Sequence, residues 1–267
     1  MSINLSRFSL FGSFATVALL SLLPAGVSAQ ADATQAEAAH PSAVLIELFT
    51  SEGCSDCPPA DELLQQVSGH KTAEGQLIVG ISEHVSYWNG LGWKDPFSSE
   101  LYTDRQNNYS SHFGLSSVYT PQMVVNGREQ FVGSDRRALQ AALTAESQRK
   151  QIMLHIDSAQ LAQGSITFTY SASALPAKGS LQLVAVLVDD VDRSNVLRGE
   201  NNGRLLQHVS VARSLTRVAT IKEDVEESIH VPLPDGFQLG GGAVHHLILF
   251  AQEPHQGAIL GATTMPL

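Results

Sequence analysis

Thr50-Ser51-Glu52-Gly53-Cys54-Ser55-Asp56-Cys57-Pro58-Pro59-Ala60-Asp61 decides how this chain is read, because its only two cysteines stand here, three positions apart. A Cys-x-x-Cys loop is too short to constrain much unfolded-chain entropy, so the pair is a poor staple. It is either a reactive dithiol or half of a metal site. Before it, Ala43–Thr50 (AVLIELFT) is an apolar run of strand length. After it, Pro58, Pro59 and Asp61 open a helix, since proline fits a first turn and an acid suits that end. Leu63, Leu64 and Val67 give this helix a buried face, and Gly69 ends it.

Further along, Leu77–Ser82 (LIVGIS) is a second apolar strand, which makes strand, helix and strand a βαβ unit. His84–Phe97 is a long aromatic loop, and Ser98–Phe113 reads as a helix with Leu101, Arg105 and Tyr109 at four-residue spacing. Gln122–Val125 is a strand, Asn126-Gly127 a hairpin turn and Arg128–Val132 the return. Ser134 or Asp135 caps a last helix with Leu139, Ala142 and Leu143 on one face. This order, with the cysteines at the first strand-to-helix turn, resembles the thioredoxin fold. From Gln151 onward, short alternating or apolar stretches (Ile152–Ile156, Ile166–Tyr170, Leu181–Val188, Val209–Ala219, Ser228–Leu233, Val244–Ala251) are separated by Pro, Gly, Asp and Asn. The expected fold is therefore an α/β thioredoxin-like N-terminal domain over residues 42–150, followed by an all-β, sandwich-like C-terminal domain over 151–267.

Residues 1–29 read as a signal peptide. Arg7 precedes the apolar run Phe8–Leu23, Pro24-Ala25-Gly26 breaks it, and Val27-Ser28-Ala29 offers small residues for cleavage. The run is shorter than the ~20 residues a membrane span needs, so stable membrane insertion after cleavage is not expected. Residues 30–41 form an Ala-rich lead-in read as disordered. The expected location is secreted or periplasmic, in a bacterium. Without Arg7 the chain carries 15 basic and 26 acidic side chains, a net charge of −11, which repels phosphate backbones and argues against nucleic acid as a partner.

Thiolate is the attacking species in disulfide exchange, and a helix N-terminus stabilises it. Cys54 is assigned as the exposed nucleophile and Cys57 as the resolving thiol behind it. Thr120-Pro121, just before a strand, sits where thioredoxin-like proteins carry a cis-proline facing the dithiol; Pro121 with Thr120 would present a substrate backbone. Glu47, an acid inside an apolar strand, stands near the place of a buried acid that takes a proton from the resolving thiol. His84, Tyr87, Trp88 and Trp93 either line a substrate groove beside the dithiol or pack the long loop onto the core. Glu52, Asp56 and Asp61 surround the cysteines with no basic residue near them in sequence, which disfavours a thiolate and points to a reductant or isomerase.

TSEGCSDCPPAD, the HVSYW–LGWKDPF loop and VYTPQMVVNG together resemble an exported bacterial thioredoxin-like family, domain-of-unknown-function family 1223. The resemblance covers Val44 to Leu143, and GENNGRLLQH (Gly199–His208) is similar to that family's C-terminal region. The family often has an acid at the positions of Ser86 and Asn89. The resemblance implies a fold and a dithiol, and no substrate. The expected function is thiol–disulfide exchange with a disulfide-containing protein or small thiol, fed by an electron-donor thiol protein, with no cofactor. One alternative is soft-metal (copper) binding or delivery by the two thiolates with His84 or Met123. Another is a non-catalytic interaction protein with a vestigial thioredoxin fold. His245-His246 cannot chelate together from one strand, and His208 and His230 are read as surface or packing residues.

Overall fold

The computed structural model describes residues 42–162, 164–233, 237 and 244–267. The signal peptide and the lead-in lie outside the described residues. Among the described residues, three helices and eleven strands follow in order: β1 (Ala43–Thr50), α1 (Pro58–Val67), β2 (Leu77–His84), α2 (Glu100–Phe113), β3 (Gln122–Val125), β4 (Glu129–Val132), α3 (Arg136–Ser147), β5 (Met153–Ala162), β6 (Ser165–Ser173), β7 (Leu181–Asn195), β8 (Leu205–Ile221), β9 (Val225–Pro232), β10 (His245–Gln252) and β11 (Ile259–Pro266).

The expectation of an α/β thioredoxin-like domain followed by a separate all-β sandwich is overturned by the sheet topology. One eight-stranded mixed sheet runs β11-β10-β7-β8-β2-β1-β3-β4 and so takes strands from both halves of the chain. The junction is parallel, β8 beside β2, with Ser82 opposite Val211. Among the described residues, β5-β6-β9 form a second sheet. The reason lies in β7. Its alternate residues Leu181, Leu183, Ala185 and Leu187 pack towards β5 and β6, while Val184, Val186 and Val188 pack towards Leu45, Val79 and Ile81 of β1 and β2. A strand buried on both faces needs cover on both sides. The first half of the chain supplies one cover and the small sheet the other. β10 behaves likewise, with Leu247 and Leu249 on one side and Ile248 and Phe250 on the other.

The helices divide the two faces of β1. Val44, Ile46 and Leu48 pack against Ala60, Leu63 and Leu64 of α1 and Leu139, Ala142 and Leu143 of α3. The opposite face receives α2, whose buried side chains are Tyr102, Arg105, Gln106, Tyr109 and Ser110. Leu101, at four-residue spacing from Arg105, is 43% exposed. A helix that buries polar groups needs partners for them, and these decide the chemistry of that face. Caps are local: Ser99 accepts from Leu101 N–H, Gly114 ends α2 in the left-handed region, and Asp135 accepts from the N–H groups of Arg137 and Ala138.

The sheet curls back on itself at the Asn126-Gly127 turn. Ile259 N–H donates to Asn126 C=O at 2.8 Å, joining the start of β11 to the β3–β4 hairpin. Asn126 Oδ1 also accepts from Leu45 N–H, and its amide donates to Glu146. Gly127 has φ +64° and a Cβ there would lie 2.4 Å from Gly257 C=O. Both strain and clash therefore oppose any side chain. Gly127→Ala is expected to cost about 2 kcal/mol or more in urea unfolding; a loss below about 0.5 kcal/mol, the range of an ordinary surface change, would show that this contact does not hold the sheet closed.

Candidate functional site

Cys54 and Cys57 form a disulfide with Cα atoms 5.4 Å apart. Cys57 is the N-cap of α1, and its C=O accepts from Ala60 N–H (2.8 Å) and Asp61 N–H (3.1 Å). The bond thus sits at the positive end of the helix. Cys54, expected to be exposed, is only 1% accessible, and Cys57 is fully buried, while Ser55 and Asp56 between them face solvent. The cover comes from the β7–β8 connection. Asn201 donates its amide to Glu52 C=O and Cys54 C=O, each at 2.9 Å. Arg204 orients that amide through Asn201 Oδ1 at 2.8 Å, and the Glu200 carboxylate accepts from Ser55 N–H at 3.0 Å.

The Thr120–Pro121 peptide is cis. Pro121 and Ala60 both crowd Gly133, where a Cβ would stand 3.1 and 3.0 Å from theirs, so the loop before β3 lies against the first turns of α1. Thr120 Oγ1 accepts from Trp88 Nε1 at 2.8 Å. Trp88 Cβ in turn lies 3.1 Å from where a Cβ on Gly53 would be, so the indole links the Cys-x-x-Cys loop to Thr120. Tyr87 is 39% exposed; partial burial raises its hydroxyl above the ordinary range, against hydrogen bonds to Thr120 and Gln106.

The other two residues of the aromatic loop serve Glu52. Trp93 Nε1 donates to Glu52 Oε2 at 2.7 Å, and Ser194 Oγ to the same oxygen at 3.2 Å. His84 is fully buried and pairs through Nδ1 with Asp95 Oδ2 at 2.7 Å, and that oxygen also accepts from Glu52 N–H at 2.8 Å. Burial works against the Asp95 charge, but His84 and the N–H groups of Glu52 and Phe97 outweigh it and hold the carboxyl below its usual range. The structure therefore separates the four expected groove residues: Tyr87 and Trp88 stand by Thr120, whereas His84 and Trp93 lie behind Glu52.

Sequence reasoning missed three side chains, all in Gly199–His208: Glu200, Asn201 and His208. His208, read as surface or packing, is buried with its ring between two acids: Nε2 lies 3.4 Å from Glu52 Oε1 and Nδ1 lies 3.6 Å from Asp61 Oδ1. These are ion-pair distances, too long for tight hydrogen bonds. The ring stacks edge-on to His84 at 4.5 Å. Burial disfavours the imidazolium, yet Asp61 and Glu52 prevail and raise His208 from its usual 6.5 to about 10. The charge of Glu52 and Asp61 is thus partly offset, by a residue about 150 positions away in sequence.

Glu47 has other company than expected. It is fully buried on the face of β1 that carries α2, where Arg105 Nε donates to one carboxylate oxygen and Tyr109 Oη to the other. α1 and its dithiol belong to the opposite face. Arg105 also reaches Gln252 Oε1 at 3.2 Å and lies 3.7 Å from Glu83, fully buried as well. Burial, and then the Glu47 charge, push Glu83 well above the usual carboxylate range, against the pull of Arg105. Glu47, Glu83, Arg105 and Tyr109 thus form a buried charge cluster on the face of β1 away from α1. For the metal alternative, the two sulfurs are bonded to each other, Met123 is buried in the α1 face, and among the described residues no group of three or more His, Cys, Asp or Glu is arranged to hold a metal ion. His245 and His246 pair separately with Asp189 and Asp190.

Two outcomes are expected. Arg105→Met leaves Glu47 and Glu83 buried without their cation and should cost about 3–5 kcal/mol in chemical unfolding; a cost below about 1 kcal/mol would deny the cluster its structural role. His208 is raised in the folded chain, so its contribution is complete below the unfolded value of 6.5 and is lost as pH rises through about 10. Stability should fall across that window, and His208→Gln should flatten the fall; identical slopes for both proteins would show that His208 carries no such linkage.

A family model described as "Protein of unknown function (DUF1223)" matches residues 45–252. No curated protein matches the chain. Among solved structures, a protein from Agrobacterium tumefaciens is similar, with 26% identity and a TM-score of 0.61 over 85% of this chain and 95% of that one. A domain of the outer membrane lipoprotein Omp28 from Porphyromonas gingivalis covers 43% of this chain and 87% of its own, at 8% identity and a TM-score of 0.30, a likeness too slight to bear on fold or function. With its family model spanning most of its length, the chain belongs to the family of proteins of unknown function DUF1223.

Proposed function

We propose that Cys54–Cys57 is a redox-active disulfide that exchanges with thiols or disulfides of a protein or small-molecule partner outside the cytoplasm. The observation that carries this reading is the bond itself: the only two cysteines are joined across two residues at the N-cap of α1, where they constrain little and where a leaving thiolate is stabilised. In the reductive direction a partner thiolate attacks Cys54 Sγ and the S–S bond breaks. Its electron pair stays on Cys57, which becomes a thiolate at the helix N-terminus. A second partner thiol, deprotonated, then attacks the partner sulfur of the mixed disulfide and releases Cys54, so that two electrons pass to the protein and the partner leaves as a disulfide. The reverse sequence reduces a partner.

Thr120 and Pro121 border this site from the β3 side, and the exposed ring of Tyr87 offers a partner an aromatic surface. His84 and Trp93 support Glu52 from within. Because Cys54 is covered, exchange requires residues 196–204 to lift from the Cys-x-x-Cys loop. The same burial favours a second reading, a closed disulfide in a non-catalytic interaction protein.

Reduction kinetics of the folded chain with dithiothreitol decide between them. Each Asn201 hydrogen bond is worth about 1 kcal/mol, so Asn201→Ala should raise the open fraction and the reduction rate about tenfold or more. Cys54→Ser should abolish exchange. A bond that yields only when the chain unfolds, at a rate unchanged by Asn201→Ala, contradicts the redox reading and leaves the closed disulfide.

A further inference from the structure

The Cys-x-x-Cys loop is bracketed by two buried carboxylates with an uncommon arrangement. Glu52 stands two residues before Cys54, and Asp61 is the acid of the first turn of α1, its N–H on Cys57 C=O. Glu52 Oε1 and Asp61 Oδ1 each lack a hydrogen-bond partner among the described residues, and both point to the His208 ring, whose two nitrogens lack one as well. Two negative charges at this end of α1 oppose the helix dipole and disfavour a sulfur anion.

We propose that His208 is a positioning residue for the dithiol: its imidazolium, held between Glu52 and Asp61, offsets one of the two negative charges that bracket Cys54 and Cys57 and so shifts the redox equilibrium of the pair. This inference rests on the exchange reading above. Charged and aromatic side chains from several elements face the ring. Glu52 comes from the β1–α1 loop, Asp61 from α1, His84 from β2 and Phe97 from the aromatic loop, its ring 5.8 Å away. From β7, Asp192 is the cross-strand neighbour of His208; burial and then the Asp189 charge raise its carboxyl above the usual range, against the smaller pull of Arg213 and His208. Asp95 faces the far side of His84, bonded to its Nδ1. The ring remains within reach of solvent protons, because His208 lines a surface groove of about 230 Å³ with Asp61, Glu62, Pro58 and Arg204. With a raised proton affinity, it stays cationic through the neutral range.

The arrangement predicts opposite effects for its two ends. His208→Gln keeps a polar side chain and removes the cation; Asp61→Asn keeps the shape and removes one acid. In the reduced, folded proteins, the alkylation rate of Cys54 against pH should titrate about one unit higher for His208→Gln and lower for Asp61→Asn than for the unsubstituted chain. Where the thiolate is the reduced species, a one-unit rise is a tenfold shift towards the disulfide against glutathione, about 30 mV. A purely structural role would lower stability in both variants and move neither midpoint. Should His208→Gln fail to fold, Asp61→Asn still decides: a lowered midpoint supports the inference and an unmoved one overturns it. Exchange at an unchanged midpoint in both variants overturns the role of His208 alone, whereas no exchange in any of the three proteins overturns the exchange reading and this inference together.

Discussion

The amide of Asn201 is the point on which the site depends. It donates to Glu52 C=O and Cys54 C=O, on either side of Gly53 in the Cys-x-x-Cys loop, and so ties the end of the β7–β8 hairpin to the start of α1. That hairpin reaches the site because β7 and β8 continue the sheet begun by β1 and β2. The apolar runs of β7 and β10 require cover on both faces, and this requirement brings the two halves of the chain into one sheet. The position of the cover over the disulfide is thus a consequence of how the core is closed.

Charge is managed in two separate clusters. In one, Arg105 stands between Glu47 and Glu83 on the α2 face. In the other, His208 stands between Glu52 and Asp61 near the dithiol. A cation is missing from the local sequence in both places and arrives from a distant element. Buried carboxylates without a cation cost several kcal/mol, so both clusters bind the fold together as well as shaping its electrostatics. They differ in chemistry. Guanidinium keeps its charge at any ordinary pH, whereas imidazolium can lose its proton.

Much of the first half was legible from its residues. The apolar AVLIELFT strand, the Pro58-Pro59 helix start, the Asn126-Gly127 turn and a cap at Ser134 or Asp135, which proves to be Asp135, all depend on chain neighbours, and each appears where its pattern places it. What depends on distant neighbours was not legible. No separate sandwich forms because Leu181–Val188, which the sequence pattern offers as one more strand of a two-sheet stack, is an unbroken apolar run, the mark of burial on both faces. Glu47 is visible as an acid in an apolar strand and Arg105 at helical spacing from Tyr109, yet nothing in the chain announces that they meet. Cys54 was expected in the open because the strap over it lies 147 residues further along. The one available signal was GENNGRLLQH, a turn-rich and polar stretch whose Asn201 and His208 have no local task.

The central claim, that Cys54–Cys57 is a redox pair in a folded protein, is tested most directly by titrating the chain through glutathione and dithiothreitol redox buffers while following the mass of the alkylated product and the circular dichroism together. The account predicts one reversible two-electron transition with the fold retained, at a potential above the roughly −300 mV below which structural disulfides lie. A bond that stays oxidised beyond that potential, or whose reduction coincides with loss of the folded signal, would contradict it.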